Sequence, residues 1–301
     1  MSVSFHDYLV IGISSRALFD LEEANEIFET QGLDAYREYQ FAHEEDILKP
    51  GSGFPLIKKF LDINAKMNKK LVEVIVMSRN SAETSLRIIN SLEHYDLDIG
   101  RMVMSGGENI SRYLKAFDVD LFLSANAKDV ELAIEDGYPA GLIYPHAKYD
   151  LPSDQIRIAF DADAVLFSDQ SEQIYKAKGL DAFVANEIKN QDTAMEQGPM
   201  AHFLFRLAQL QKACANTHYL RTAIVTARDK NAGIRVIKTL RQWHIIVDEI
   251  FFLQGAKKAD ILASFGADIF FDDQDIHAGP ASEVVPSARV LPTIRRKHET
   301  T

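Results

Sequence analysis

The sequence predicts an α/β fold made of two copies of one unit, each a mostly parallel sheet with helices on both faces. Three observations lead there. Strand-like and helix-like segments alternate along the whole chain, the pattern that builds helix-covered parallel sheets. Residues recur at an offset of 148: Leu18-Phe19 falls on Leu166-Phe167, Arg87 on Arg235, Leu92 on Leu240, Phe117 on Phe265, Asp120 on Asp268 and Phe122 on Phe270. At 147, Gly32-Leu33-Asp34-Ala35 aligns with Gly179-Leu180-Asp181-Ala182, and Gly51 with Gly198. A register held within one residue over half a chain is the mark of an internal repeat. Finally, carboxylates end apolar strand segments in the second copy only, Asp161 and Asp163 after one strand and Asp272-Asp273 after another.

In chain order, short apolar runs read as strands and longer amphipathic runs as helices. The first copy has a strand at residues 8–13, helices at 21–31 and 54–68, then a strand at 72–77 and a helix at 82–94. A strand at 101–104, a helix at 110–117, a strand at 121–124, a helix at 127–136 and a strand at 140–143 complete it. The second copy has strands at 156–160, 222–226, 249–253, 269–271 and 288–291, with helices at 199–216, 232–243 and 257–265. Its first strand shows the reasoning: Ile156, Ile158 and Phe160 alternate with Arg157 and Ala159. The polar, proline-bearing stretch 146–155 separates the copies, dividing the chain into 1–150 and 151–301.

With 301 residues, 47% of them hydrophobic and 26% charged, the chain is globular in composition and long enough for about two cores. A formal net charge of −11 argues against nucleic acid or an anionic membrane surface as a partner. Cys214 is the only cysteine, so no disulfide framework or thiolate metal site exists, as in a reducing compartment. The amino terminus lacks the charged and apolar regions of a signal peptide, and the expected location is cytoplasmic. The nine histidines carry no metal-ligand spacing. A homo-oligomer is neither required nor excluded.

The acidic positions carry the chemistry. Ligands of open α/β sheets bind at the carboxyl ends of strands. There the second copy places Asp161 and Asp163, then Thr226, Ala227 and Arg228, then Lys257 and Lys258, then Asp272 and Asp273. Like charges about 4 Å apart cost about 4 kcal/mol per pair at an effective dielectric near 20, so such a cluster needs protons or a divalent cation. All-oxygen ligands suit Mg²⁺. Read singly, Asp161-Ala162-Asp163 is an ordinary turn, and Thr226 and Asp273 are ordinary caps. Their joint occurrence at successive strand ends is what argues for a site.

The order Asp-x-Asp, Thr, Lys, Asp-Asp resembles the haloacid dehalogenase (HAD) superfamily of phosphotransferases. More narrowly, FDADAVLFSDQSE, IVTAR, LQGAKKADIL and IFFDDQ look like the cytosolic 5′-nucleotidase type I family. ISSRALF near the start, Gly106-Gly107 and the QGP at 197–199 look like that family too. The resemblance implies two Rossmann-like, HAD-type α/β/α units, the first degenerate, and Mg²⁺-dependent hydrolysis of nucleoside 5′-monophosphates. It implies Asp161 as nucleophile through an aspartyl phosphate and Asp163 as general acid and base. Thr226, Ala227 and the amides beside Asp161 would hold phosphate oxygens. Lys258, or its neighbour Lys257, would neutralise phosphoryl charge. Mg²⁺ would sit among Asp161, Asp163, Asp272 and Asp273, with Asp163 contributing its carbonyl. No room exists for a cap domain between Thr226 and Lys258, so the first copy or residues 169–199 must shield the site.

Two other readings stand beside it: a phosphatase for another small ester such as a sugar phosphate, and a non-catalytic nucleotide-binding regulatory protein. A sensor would be expected to have lost Asp161, as the first copy has lost its counterpart. In that copy Ser14, Ser15, Arg16, Arg79, Asn80, Gly106 and Gly107 fall where the second keeps its catalytic groups. Donors without acids suit an anion. The first copy is therefore expected to bind a nucleotide without hydrolysing it, as a regulatory site or part of the substrate pocket, unless these are plain loop residues on a structural half.

Overall fold

The computed structural model describes residues 5–145, 153–214 and 217–292. The first half runs β1 (Leu9–Ile13), α1 (Ser15–Leu18), α2 (Glu22–Gln31), α3 (Leu33–Ala42), α4 (Phe54–Met67), β2 (Val72–Ser78) and α5 (Leu86–His94). It continues with β3 (Arg101–Met104), α6 (Ser111–Leu114), β4 (Leu121–Ser124), α7 (Ala127–Glu135) and β5 (Ala140–Ile143). The second half begins with β6 (Ile156–Phe160), a π turn (Ala162–Leu166), α8 (Gln170–Lys189), α9 (Ala201–Ala213) and β7 (Leu220–Thr226). There follow α10 (Lys230–Gln242), β8 (Glu249–Phe252), α11 (Lys258–Phe265), β9 (Ile269–Asp272), α12 (Asp275–Ser282) and β10 (Ser287–Arg289).

All ten strands form one sheet in the order β3-β2-β1-β4-β5-β10-β9-β6-β7-β8. Each half has the same internal order, its first strand central, and every pairing inside a half is parallel. Strands such as Leu9–Ile13 and Val72–Ser78 are buried along their whole length, which is why they read as mostly apolar runs rather than alternating ones, with Glu73 the one charged residue among them. The halves meet where β5 and β10 pair antiparallel, Ile143 opposite Ala288. That single antiparallel join reverses one half against the other. The carboxyl ends of the first half's strands therefore lie along the opposite edge of the sheet from those of the second.

The repeat extends to backbone detail. Gly32 (φ 88°, ψ −175°) kinks the chain between α2 and α3, and Gly179 (φ 81°, ψ −178°) kinks α8 at the matching place. Both hold a positive φ that side-chain-bearing residues seldom adopt. One of the one-residue slips in the offset falls on the π turn, where the second half has one residue more than the α turn of the first; such turns often arise as single-residue bulges. Gly198 packs over this turn so closely that a Cβ there would stand 2.6 Å from the Val165 carbonyl oxygen. The seam is reciprocal as well. Lys59 on α4 reaches Asp268 of the second half at 2.7 Å, and Arg206 on α9, its counterpart at an offset of 147, reaches Asp120 of the first at 3.1 Å.

Four helices lie outside the sequence expectations: α1, α3, α8 and α12. α1 is a single turn, α3 starts at the Gly32 kink, the largely polar α8 is interrupted by Gly179, and α12 carries Pro280, a residue that disfavours helix interiors. The expected helix at 199–216 closes at Ala213, with residues 215–216 outside the described set. The expected boundary between 150 and 151 falls within residues 146–152, which lie outside the described residues. Among the described residues no helix is long and apolar enough to cross a membrane.

Candidate active site

The site assembles at the carboxyl ends of β6, β7 and β9 and the start of α11. Asp161 directly follows β6, and its backbone N–H donates to the Phe271 carbonyl at 2.8 Å, which ties it to β9. Asp272 ends β9 and its Oδ1 accepts from the Gln274 N–H at 2.9 Å. Lys258 is the first residue of α11, and its Nζ bridges Asp161 Oδ1 at 3.0 Å and Asp272 Oδ2 at 2.6 Å. Lys258 is buried whereas Lys257 is exposed, so burial separates the two adjacent lysines in favour of Lys258, the one the resemblance already preferred. Thr226 ends β7, buried, and its Oγ1 accepts from the Arg228 N–H at 3.3 Å. Ala227 is exposed beside it.

Carboxylate oxygens of Asp161, Asp272 and Asp273 all lie within 4.8 Å of one another. Burial, only partly offset by Lys258 and reinforced by Asp272 and Asp163, pushes the Asp161 carboxyl up to about 7. Burial, with Asp161 and Asp272 adding to it, pushes Asp273 up to about 7 as well, and burial also raises Asp272. Burial works against a charged Lys258, but Asp161 and Asp272 outweigh it and hold the lysine above its ordinary value. The cluster is thus short of positive charge, and one buried acceptor, Asp273 Oδ1, has no hydrogen-bond partner. An all-oxygen donor set with an orphaned acceptor fits a hard divalent cation.

These shifts have a sign that can be tested. In the folded chain Asp161 and Asp273 keep their protons up to about 7, whereas unfolded carboxyls release them near 3.8. The folded state binds more protons between those values, so these two groups make stability fall as pH rises through that window. A cation competes with the protons and stabilises the state that binds it. The gain in Tm on adding Mg²⁺ should therefore grow with pH across the window and largely vanish in Asp273→Asn. A gain independent of pH, or retained in that variant, would exclude a cation at this cluster.

Asp163 stands apart from the three clustered acids. The π turn, with Ala164 at φ 59°, carries its carboxylate to Arg228, which grips it through Nη2 at 2.6 Å and Nε at 2.8 Å. The same guanidinium reaches Glu187 Oε2 on α8 through Nη1 at 2.6 Å and lies 5.0 Å from the Phe183 ring centroid. Glu187 also accepts from Ser171 and Arg235. Of the expected metal ligands, Asp161, Asp272 and Asp273 thus come together, whereas the Asp163 carboxylate is turned to Arg228. The Arg228–Glu187 link was not foreseen. Arg228 stands in the sequence two residues after Thr226, but Glu187 offers no local signal, because its partner is 41 residues away.

Residues 170–189 lie beside this site, as one expected shield does: Gln274 donates to Glu172 on α8 at 3.3 Å, and Glu172 is among the charges raising Asp272 and Asp273. The other expected shield, the first copy, has its strand-end loops on the far edge of the sheet. The seven first-half residues, Ser14, Ser15, Arg16, Arg79, Asn80, Gly106 and Gly107, all line one cavity there.

Together the repeated fold and the strand-end acids define an α/β protein with a lysine-bridged cluster of buried acids at the carboxyl ends of its second-half strands. The chain belongs to the 5′-nucleotidase family, whose model matches residues 1–297. It is 39% identical over 282 residues to human cytosolic 5′-nucleotidase 1B, a match covering 89% of this chain and 46% of the relative. The chain thus spans about half the length of that curated relative. No solved structure gives a significant match.

Proposed function

We propose that this protein is a Mg²⁺-dependent 5′-nucleotidase that hydrolyses nucleoside 5′-monophosphates through an aspartyl phosphate. The observation that carries the reading is the Asp161–Lys258–Asp272 bridge, a buried carboxylate held at a strand end beside one cation and two further acids. Family membership and the name of the human relative support the substrate class.

In this reading an Asp161 oxygen attacks phosphorus, and the bond from phosphorus to the nucleoside 5′-oxygen breaks. Asp163 gives that oxygen a proton, then takes one from the water that attacks the phosphoryl-aspartate, releasing phosphate and restoring Asp161. The Asp163 carboxyl rests on Arg228 in this structure, so the acid role requires it to turn from the guanidinium toward the leaving oxygen. Lys258 neutralises charge on the phosphoryl oxygens, and Thr226 with the Ala227 amide orients them. Mg²⁺, when bound by Asp161, Asp272, Asp273 and the Asp163 carbonyl, supplies further charge neutralisation there.

Phosphate release from a panel of nucleoside monophosphates and sugar phosphates, with and without Mg²⁺, tests the whole reading. Release confined to nucleotides and dependent on Mg²⁺ is expected; release from sugar phosphates alone, or none, overturns it. Lys258→Ala should lose about 10²-fold or more in kcat/KM, as removal of a group placed for transition-state charge does, while Lys257→Ala should stay close to wild type. The reverse ranking would move the role to Lys257.

A further inference from the structure

The cavity in the first half measures about 360 Å³ and is lined by Ser14, Arg16, Phe28, Tyr36, Ser78 and Arg79 among others, within the size range of small-molecule sites. It is the repeat counterpart of the candidate active site. The Ser14 N–H donates to the Leu123 carbonyl at 2.8 Å as the Asp161 N–H does to Phe271, which fixes Ser14 as the equivalent of Asp161. At the same offsets Arg16 stands for Asp163, Ser78 for Thr226, Ile110 for Lys258, and Ser124-Ala125 for Asp272-Asp273. Asn80 and the buried Gln40 replace the ion pair of Arg228 with Glu187. Every acid of the catalytic corner has become a hydroxyl, a neutral group or a cation.

Two arginines enter as well, each paired with one carboxylate. Arg79 occupies the place of Ala227 and is anchored through Nε and Nη2 to the buried Asp129, which leaves its Nη1 outside that pair. Arg16 pairs with Glu22 through Nη2, while its Nε is a buried donor without an acceptor. Hydroxyls, amides and arginines without a metal-binding acid cluster suit a phosphate held directly.

A second feature points to what the phosphate carries. Phe28 and Tyr36 meet edge-to-face across the Gly32 kink, with centroids 5.9 Å apart at 80°. Tyr175 and Phe183 repeat this across Gly179, at 6.3 Å and 81°. Both halves thus keep an aromatic pair on the same helical segment beside the same strand-end corner. A flat ring stacks on such a pair.

We propose that the first-half cavity is a second ligand site, which takes a nucleoside phosphate as an anion, without metal and without hydrolysis. The choice of a phosphate ester rests on the phosphate role proposed for the Asp161 corner; the anionic character of the ligand rests on the cavity alone. Because the antiparallel β5–β10 join puts this cavity on the opposite edge of the sheet, it is separate from the substrate pocket.

Calorimetry on the full chain in EDTA, where no turnover occurs, tests this with adenosine 5′-monophosphate, adenosine and inorganic phosphate as probes. Ser14→Asp restores the acid of the other copy and can still cap Ala17, as the Ser14 hydroxyl does at 3.2 Å. It should weaken nucleotide binding at least tenfold while leaving the weak binding of adenosine unchanged. Phe28→Ala, at a half-exposed position that tolerates truncation, should weaken both. Thr226→Val, in the catalytic half, should leave this binding intact. Nucleotide affinity unchanged in Ser14→Asp and Phe28→Ala, or abolished by Thr226→Val, overturns the site. Inorganic phosphate binding as tightly as the nucleotide overturns the nucleoside assignment. Since no arm reads turnover, failure here leaves the catalytic reading standing, and failure of the panel assay leaves this one standing.

Discussion

Asp161→Asn is expected to reduce turnover by about 10⁴-fold or more, the scale of losing a covalent nucleophile. The substitution removes the attacking oxygen and a negative charge but almost no volume. Its neighbours constrain the effect on folding. Asp161 contributes a buried, partly unwanted charge whose carboxyl is pushed up to about 7, so the amide should fold at least as well as wild type at neutral pH. Lys258 keeps Asp272 at 2.6 Å as a counter-charge. Unfolding and kinetics measured on one preparation separate the two consequences. Substantial activity in Asp161→Asn protein, free of deamidated material, would sink the covalent mechanism; a large loss of stability would mean the carboxylate is structural.

The second large effect belongs to Arg228. Replacing it by Met should destabilise the fold by about 3–5 kcal/mol, the usual cost of removing one partner from a buried ion pair. Two carboxylates lose their cation at once: Asp163 loses both of its bonds, and Glu187 keeps Arg235 at 3.1 Å. Burial opposes the charge on Arg228, yet Asp163 and Glu187 outweigh it and hold the guanidinium firmly protonated. Adding Glu187→Leu to Arg228→Met should recover part of the loss, because it removes the stranded acid. Denaturant unfolding of the two singles and the double measures this coupling. A cost under about 1 kcal/mol for the single variant, or strict additivity, would show that the network contributes little. Turnover should fall too, through kcat more than KM, since Arg228 acts on Asp163 and not on the nucleotide.

Much of this was legible without coordinates. Parallel strands buried on both faces leave continuous apolar runs, so β4 and β5 appear in the sequence with the bounds they have in the structure, as do the half-buried edge strand β3 and β6, whose apolar residues alternate with Arg157 and Ala159. Because ligands gather at strand ends, Asp161, Thr226 and Asp272 could be picked out as strand-terminal polar residues. The repeat offset gave the equivalence of the two halves, and with it the first-half residues that line one cavity.

Other properties depend on contacts between residues far apart in the chain, which no local pattern records. The sequence by itself determined the α/β class, the duplication, the acids and their order. Only the tertiary structure decided which acids meet. Asp272 and Asp273 join Asp161, whereas the π turn sends Asp163 to Arg228 and a salt bridge fixes it there. Burial, a property of packing, chose Lys258 over the adjacent Lys257. The polar helix α8 carries too little apolar periodicity to announce itself, being held by a few buried groups such as Phe183 and Glu187. The direction in which the halves face is set by the antiparallel pairing of two short strands that each end one half's own set, Ala140–Ile143 and Ser287–Arg289. Hydrogen-bonded edges accept a partner strand in either direction, so composition could not have chosen between them.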